Sequence, residues 1–247
     1  MGSFSRLVGC TIAVIGLGTA GAAWADDGQE ISPRTGAIAG VARCEGRVPT
    51  MQPIDMNFDP ICAGKHDGDE PALNESILVD EEGHLANVLV RVVEGLPEGD
   101  YPVPQTPLIL SQEGCMYHPR VFGIRPGQPL TIQNPDGTIH NVNGMPVVNR
   151  GFNLAMDART TEKTITLEQP EPPFPIKCDV HPWMRAYCAV VDHPFFAVSG
   201  PAGAFTIAEL PPGTYVLEAW HERYGIQREE VTVAAGEETP VTFTFRR

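Results

Sequence analysis

Cys178-Asp179-Val180-His181-Pro182-Trp183-Met184 is the stretch on which the reading of this chain turns. A thiol, an imidazole and a thioether recur at intervals of three, close enough on one short loop to reach a single ion. Soft sulfur joined to imidazole selects copper. One thiolate and two imidazoles in a plane, with a weak axial thioether, make an electron-transfer copper site; zinc takes further cysteines or leaves a position to water. Strands bracket the loop: Phe174-Pro175-Ile176-Lys177 runs straight into Cys178, and Arg185 to Val191 continues after Met184. Donors held from both ends by rigid elements are what a metal site of fixed geometry requires.

The second imidazole lies upstream. Pro129 to Asn134 alternates like a strand, and after a short loop comes His140-Asn141-Val142. One ligand from a strand end and three from a later loop converge at one end of a β-sandwich. Further strands are read at Pro107 to Leu110, Val121 to Ile124 and Thr164 to Leu167. With 24 Pro, 25 Gly and short alternating apolar runs, the chain reads as all-β with frequent turns, and no helix is expected.

Residues 101–192 resemble the cupredoxins, in particular the amicyanin and plastocyanin type. The ligand loop there also reads Cys-x-x-His-Pro-aromatic-Met followed by Arg, and the first ligand is a His followed by Asn. The resemblance implies a Greek-key sandwich holding one type 1 copper on His140, Cys178, His181 and Met184. It also implies that Asn141 fastens the two ligand loops together. Where those families carry Ser or Thr after the ligand cysteine, this chain has Asp179, whose carboxylate can accept the same hydrogen bonds. Pro182 and Trp183, extended by Met145 and Pro146, suggest an apolar surface around an exposed edge of His181, where a redox partner would dock.

The C-terminal part carries a separate pattern. Ala204-Phe205-Thr206-Ile207, the turn Leu210-Pro211-Pro212-Gly213-Thr214-Tyr215, the strand Val216 to Trp220 and the alternating runs 230–233 and 241–245 resemble the second half of a carboxypeptidase regulatory-like (Cna-B-like) sandwich. Gly36 to Cys44 and Asn87 to Val93 resemble its opening strands, separated by a long acidic loop with one short strand at Ser76 to Val79. The expected organisation is therefore a leader at 1–25, regulatory-like halves at 35–100 and 193–247, and a cupredoxin at 101–192 inserted between them, with an N-terminally extended cupredoxin followed by a separate small domain as the alternative.

The leader reading rests on Arg6, the apolar run Leu7 to Ala23 and Ala23-Trp24-Ala25, a secretory signal cleaved after Ala25 that leaves no membrane span. Without it the chain has 16 basic and 31 acidic residues, a formal charge of about −15. Such a balance argues against nucleic acid and anionic membranes as partners. Five cysteines remain, and an odd count in an oxidising compartment leaves one thiol over, which the copper reading assigns to Cys178. The other four allow three pairings; Cys62–Cys115 with Cys44–Cys188 is preferred.

These readings lead to a periplasmic or secreted protein, not an enzyme, that carries single electrons between a redox donor and acceptor through Cu(I)/Cu(II). A copper carrier or storage protein using the same ligands is the alternative. A catalytic copper centre would need an open position or a second copper, and no second cupredoxin repeat or His-x-His pattern is present. An adhesion or carbohydrate-binding role has no run of aromatics to support it, and the sandwich resemblance alone does not license one. His118, His193 and His221 could be assembled into a second metal site, but their spacing does not demand it; hydrogen-bonded histidines are the default.

Overall fold

The computed structural model describes residues 34–66 and 71–246. The leader expected at 1–25 lies outside the described residues. In chain order the elements are β1 (Gly36–Glu45), α1 (Pro60–Gly64), β2 (Leu89–Glu94), β3 (Leu108–Ser111), β4 (Val121–Ile124) and β5 (Leu130–Gln133). There follow β6 (His140–Gly144), β7 (Phe152–Met156), β8 (Glu162–Ile165), β9 (Glu171–Lys177) and β10 (Arg185–Val190). The last five are β11 (Phe196–Val198), β12 (Ala204–Leu210), β13 (Gly213–His221), β14 (Gly225–Val233) and β15 (Glu238–Arg246). The fold is all-β, as read from the sequence.

Four sheets pair into two sandwiches. In the first, a five-stranded sheet ordered β4-β10-β9-β6-β7 faces a three-stranded sheet ordered β3-β5-β8. Between them lies a core that includes Leu110, Phe122, Ile132, Val142, Phe174 and Ile176. In the second, the sheets are β12-β1-β15 and β11-β2-β13-β14, closed over Ile38, Val90, Phe205, Leu217, Phe243 and Phe245. β1 runs antiparallel to β12 and parallel to β15, with Gly40 opposite Val241. Its inward residues are Gly36, Ile38, Gly40, Ala42 and Cys44, the period of two expected of a half-buried strand. Gly40 is required there because a Cβ would collide with the Phe205 ring.

The two sandwiches share a third, smaller core. Leu89 of β2 and Val121, Ala189 and Val191 of the first sandwich pack with Tyr187, Phe196, Val198 and Trp220. Beside it, Arg120 Nε and Glu222 Oε1 form an ion pair at 2.6 Å, with both side chains buried.

Three expectations are corrected. A helix does form: α1 is capped by Asp59, whose Oδ1 accepts from Ile61 N at 2.9 Å and Cys62 N at 3.2 Å, with Pro60 in the first helical position. The strand expected at Ser76 to Val79 is reduced to an isolated bridge between Val79 and Leu85. Finally, Cys62–Cys115 is a disulfide, but Cys44 and Cys188 are free thiols. Cys44 lies in the core of the second sandwich and Cys188 in that of the first, so no bond can join them.

Candidate metal centre

His140 opens β6, while Cys178 follows β9 and Met184 precedes β10. β9 pairs with β6 on one side and β10 on the other, which brings the upstream histidine to the end of the hairpin that carries the loop. The loop closes on itself: Cys178 N donates to Met184 O at 3.3 Å, Met184 N to His181 O at 3.0 Å, and His181 N to Cys178 Sγ at 3.4 Å. His140, His181 and Met184 are completely buried and Cys178 nearly so.

Donor atoms of His140, Cys178 and His181 lie within 4.8 Å of one another. The two Nδ1 atoms face each other at 2.8 Å, and His181 Nδ1 is 3.8 Å from Cys178 Sγ. Both far nitrogens have carboxylate partners: His140 Nε2 is 3.0 Å from Asp136 Oδ2, and His181 Nε2 is 3.0 Å from Asp59 Oδ2. A carboxylate on Nε2 orients each ring and turns its Nδ1 towards the space that the thiol also faces. Burial pushes the Cys178 thiol up, but interactions with His140 and His181 outweigh it and bring it down to about 6. The donor set is thus one readily ionised thiol and two imidazoles, with a buried thioether on the same loop. It suits copper.

Asn141 and Asp179 join the two ligand segments. Asn141 Oδ1 accepts from Asp179 N at 2.7 Å and from the Cys178 thiol at 3.3 Å. The Asp179 carboxylate in turn accepts from Asn141 at 3.0 Å, Asn143 at 2.9 Å and Asn153 at 3.0 Å. These amides, more than any other cause, hold the Asp179 carboxyl below its usual range.

One expectation fails here. The edge of His181 is not exposed, because the long connection between β1 and β2 lies over it. Phe58 stacks on the His181 ring at 5.7 Å and meets Trp183 edge-on at 5.2 Å. Cys62 Sγ is 3.6 Å from His181 Nε2. Trp183 is half-buried, with Nε1 donating to Cys115 O at 2.9 Å. Asp136 ties the arrangement together: it accepts from Gly114 N at 2.9 Å and Cys115 N at 2.6 Å and pairs with Lys65 at 2.9 Å. Burial raises its carboxyl, but the His140 and Lys65 bonds and these two amides bring it to about 2.

Sequence reasoning missed Phe58, Asp59 and Asp136. Asp59-Pro60 is a helix-start signal that would have disclosed α1, though not what it covers. Among the described residues, His118, His193 and His221 fall in no common cluster of metal-type side chains. His193 Nε2 bonds Val92 O at 2.9 Å, and His221 Nδ1 accepts from Arg223 N at 3.2 Å, so both are structural.

Sheet order and donor set together define a two-sandwich protein whose first half is built like a cupredoxin. Its second half is similar to a known domain: residues 190–246 match the carboxypeptidase regulatory-like domain, which supplies β11 to β15 but not β1 or β2. Similar solved structures include a Cu(I) amicyanin variant at 16% identity, covering 39% of this chain and 98% of that one, with a TM-score of 0.32. A purple cupredoxin from Nitrosopumilus maritimus is 21% identical and covers 34% of this chain and 98% of its own, with a TM-score of 0.29. A copper-containing nitrite reductase from Thermus scotoductus SA-01 is 18% identical over 40% of this chain and 25% of its own length, with a TM-score of 0.32. Among curated proteins, no sequence matches.

Proposed function

We propose that this chain is a mononuclear type 1 copper protein that carries single electrons between redox partners and is not itself an enzyme. The observation that carries the reading is the convergence of Cys178 Sγ and the His140 and His181 Nδ1 atoms in a buried site, with Met184 on the same loop. Copper bound there would supply the one-electron couple. The chain's own residues supply the constancy of shape that makes transfer fast. The Asn141–Asp179 network keeps the two ligand segments in register, and Asp136 and Asp59 stop the imidazoles from turning. Among the described residues no helix is long and apolar enough to cross a membrane. A periplasmic or secreted location follows from the leader reading. A redox partner would dock beside His181 and Trp183, on the surface that Phe58 and Pro182 now form.

The test is to load the full chain with Cu(II) and record its visible spectrum beside that of Cys178→Ser. An intense thiolate-to-copper band, lost in the variant, is expected. A protein that stays colourless and takes only Cu(I) would favour the carrier reading, and one that takes no copper would remove both.

A further inference from the structure

The covering segment is fastened far more firmly than a passing loop. The Cys62–Cys115 disulfide ties it to the first sandwich, and Lys65 pairs with Asp136 at 2.9 Å. His66 Nε2 bonds Gly114 O at 2.7 Å, and Asp59 Oδ2 accepts from Thr138 Oγ1 at 3.2 Å. Thr138 and Asp136 both belong to the turn that delivers His140. Two of the residues that hold the segment down, Asp136 and Asp59, thus also position the imidazoles. On its inner side it presents Asp59 to His181 Nε2 at 3.0 Å, the Cys62 sulfur at 3.6 Å and the Phe58 ring in a stack.

We infer that residues 58–66 form a disulfide-tethered lock on the metal centre, which holds His181 by its Nε2 atom and bars solvent, small ligands and chelators from it. The inference rests on the proposed copper reading for its purpose, but not for its geometry. Asp59 is a positioning residue and Phe58 the lid over the imidazole. The disulfide keeps the lid in place although it is drawn from the middle of a connection whose two ends lie in the other sandwich. The centre is therefore built to keep its metal, which separates an electron carrier from a copper donor.

The test begins without metal. Full-length protein is treated with diethyl pyrocarbonate, and acylation of each histidine is followed by mass spectrometry. Exposed His118 serves as the reference for a free imidazole, and His193, buried in the second sandwich, as the reference for an intact fold. His181 is expected to react at least tenfold more slowly than His118. In Cys62→Ser/Cys115→Ser it should react at least tenfold faster than in the parent, with His193 unchanged. Should that variant lose its fold, Phe58→Ala/Asp59→Asn decides, since Asn still caps α1 while the ring and the carboxylate are gone. Parent His181 as reactive as His118, or protection unchanged in the folded variants, would overturn the lock. In a second arm, Cu(I) transfer to bathocuproine disulfonate should be about 10- to 100-fold faster from Phe58→Ala/Asp59→Asn than from the parent. Equal rates would overturn the lock's role in retention. A chain that takes no copper sinks the proposed function, while the acylation result still decides whether the lock exists.

Discussion

Asn141 makes the bonds whose loss is easiest to interpret. Its Oδ1 accepts from both the Asp179 amide and the Cys178 thiol, and its Nδ2 reaches Asn153 at 2.6 Å and Asp179 at 3.0 Å. Asn141→Ala strands these groups, and a cost of about 1–3 kcal/mol is expected in urea unfolding of the metal-free protein. Asn141→Ala should also broaden the copper spectrum, because Cys178 loses a fixed neighbour. Residues on the 178–184 loop were legible in the sequence because spacing along one short loop already sets their distance. His140 needed the further assumption of strand pairing. Asp59 was not legible, since it meets His181 across 122 positions and its local pattern speaks only of a helix start. The buried Cys44 and Cys188 misled for the opposite reason: a parity argument counts thiols without knowing that two cores separate them.

Strands were the readable elements, because period-two alternation over β1, β13 and β15 records a buried face directly. β7 and β11 were missed; β11 is three residues long, too short to show a period, whereas Phe152, Leu154 and Met156 of β7 do alternate inward and were passed over. The element that organises the second sandwich is β1, and its tightest point is Gly40 under Phe205. Gly40→Val forces the ring out of its seat, and overpacking of this kind costs about 1–3 kcal/mol. Thermal unfolding should show the loss. The visible spectrum of the copper-loaded protein should not change, because the strain lies in the other sandwich.

At the scale of the whole molecule, the two sandwiches are coupled by the small shared core and by Arg120–Glu222. Glu222→Ala leaves a buried guanidinium unpaired, and a loss of about 3–5 kcal/mol is expected in urea unfolding. Replacing both partners by apolar residues should cost much less. His221, next to that pair, makes stability sensitive to acid. Burial, helped by the Arg120 and Arg223 charges, lowers its imidazole to about 4. The unfolded chain takes up a proton near pH 6.5 and the folded one does not until about 4. Stability is therefore whole above 6.5 and falls as pH drops towards 4, by on the order of 3 kcal/mol. Unfolding of His221→Gln compared at pH 7 and pH 4.5 should show a flatter dependence than the parent. The placing of β1 between β12 and β15 also bears on how the chain acquires its shape. Every strand of the first sandwich lies between positions 108 and 190, so that half can condense while the polypeptide is still emerging. β1 is made first yet finds its two neighbours only after more than 150 further residues have been added. The earliest part of the chain must wait for the latest, and assembly of the second sandwich is a slow, ring-closing event set by that long separation.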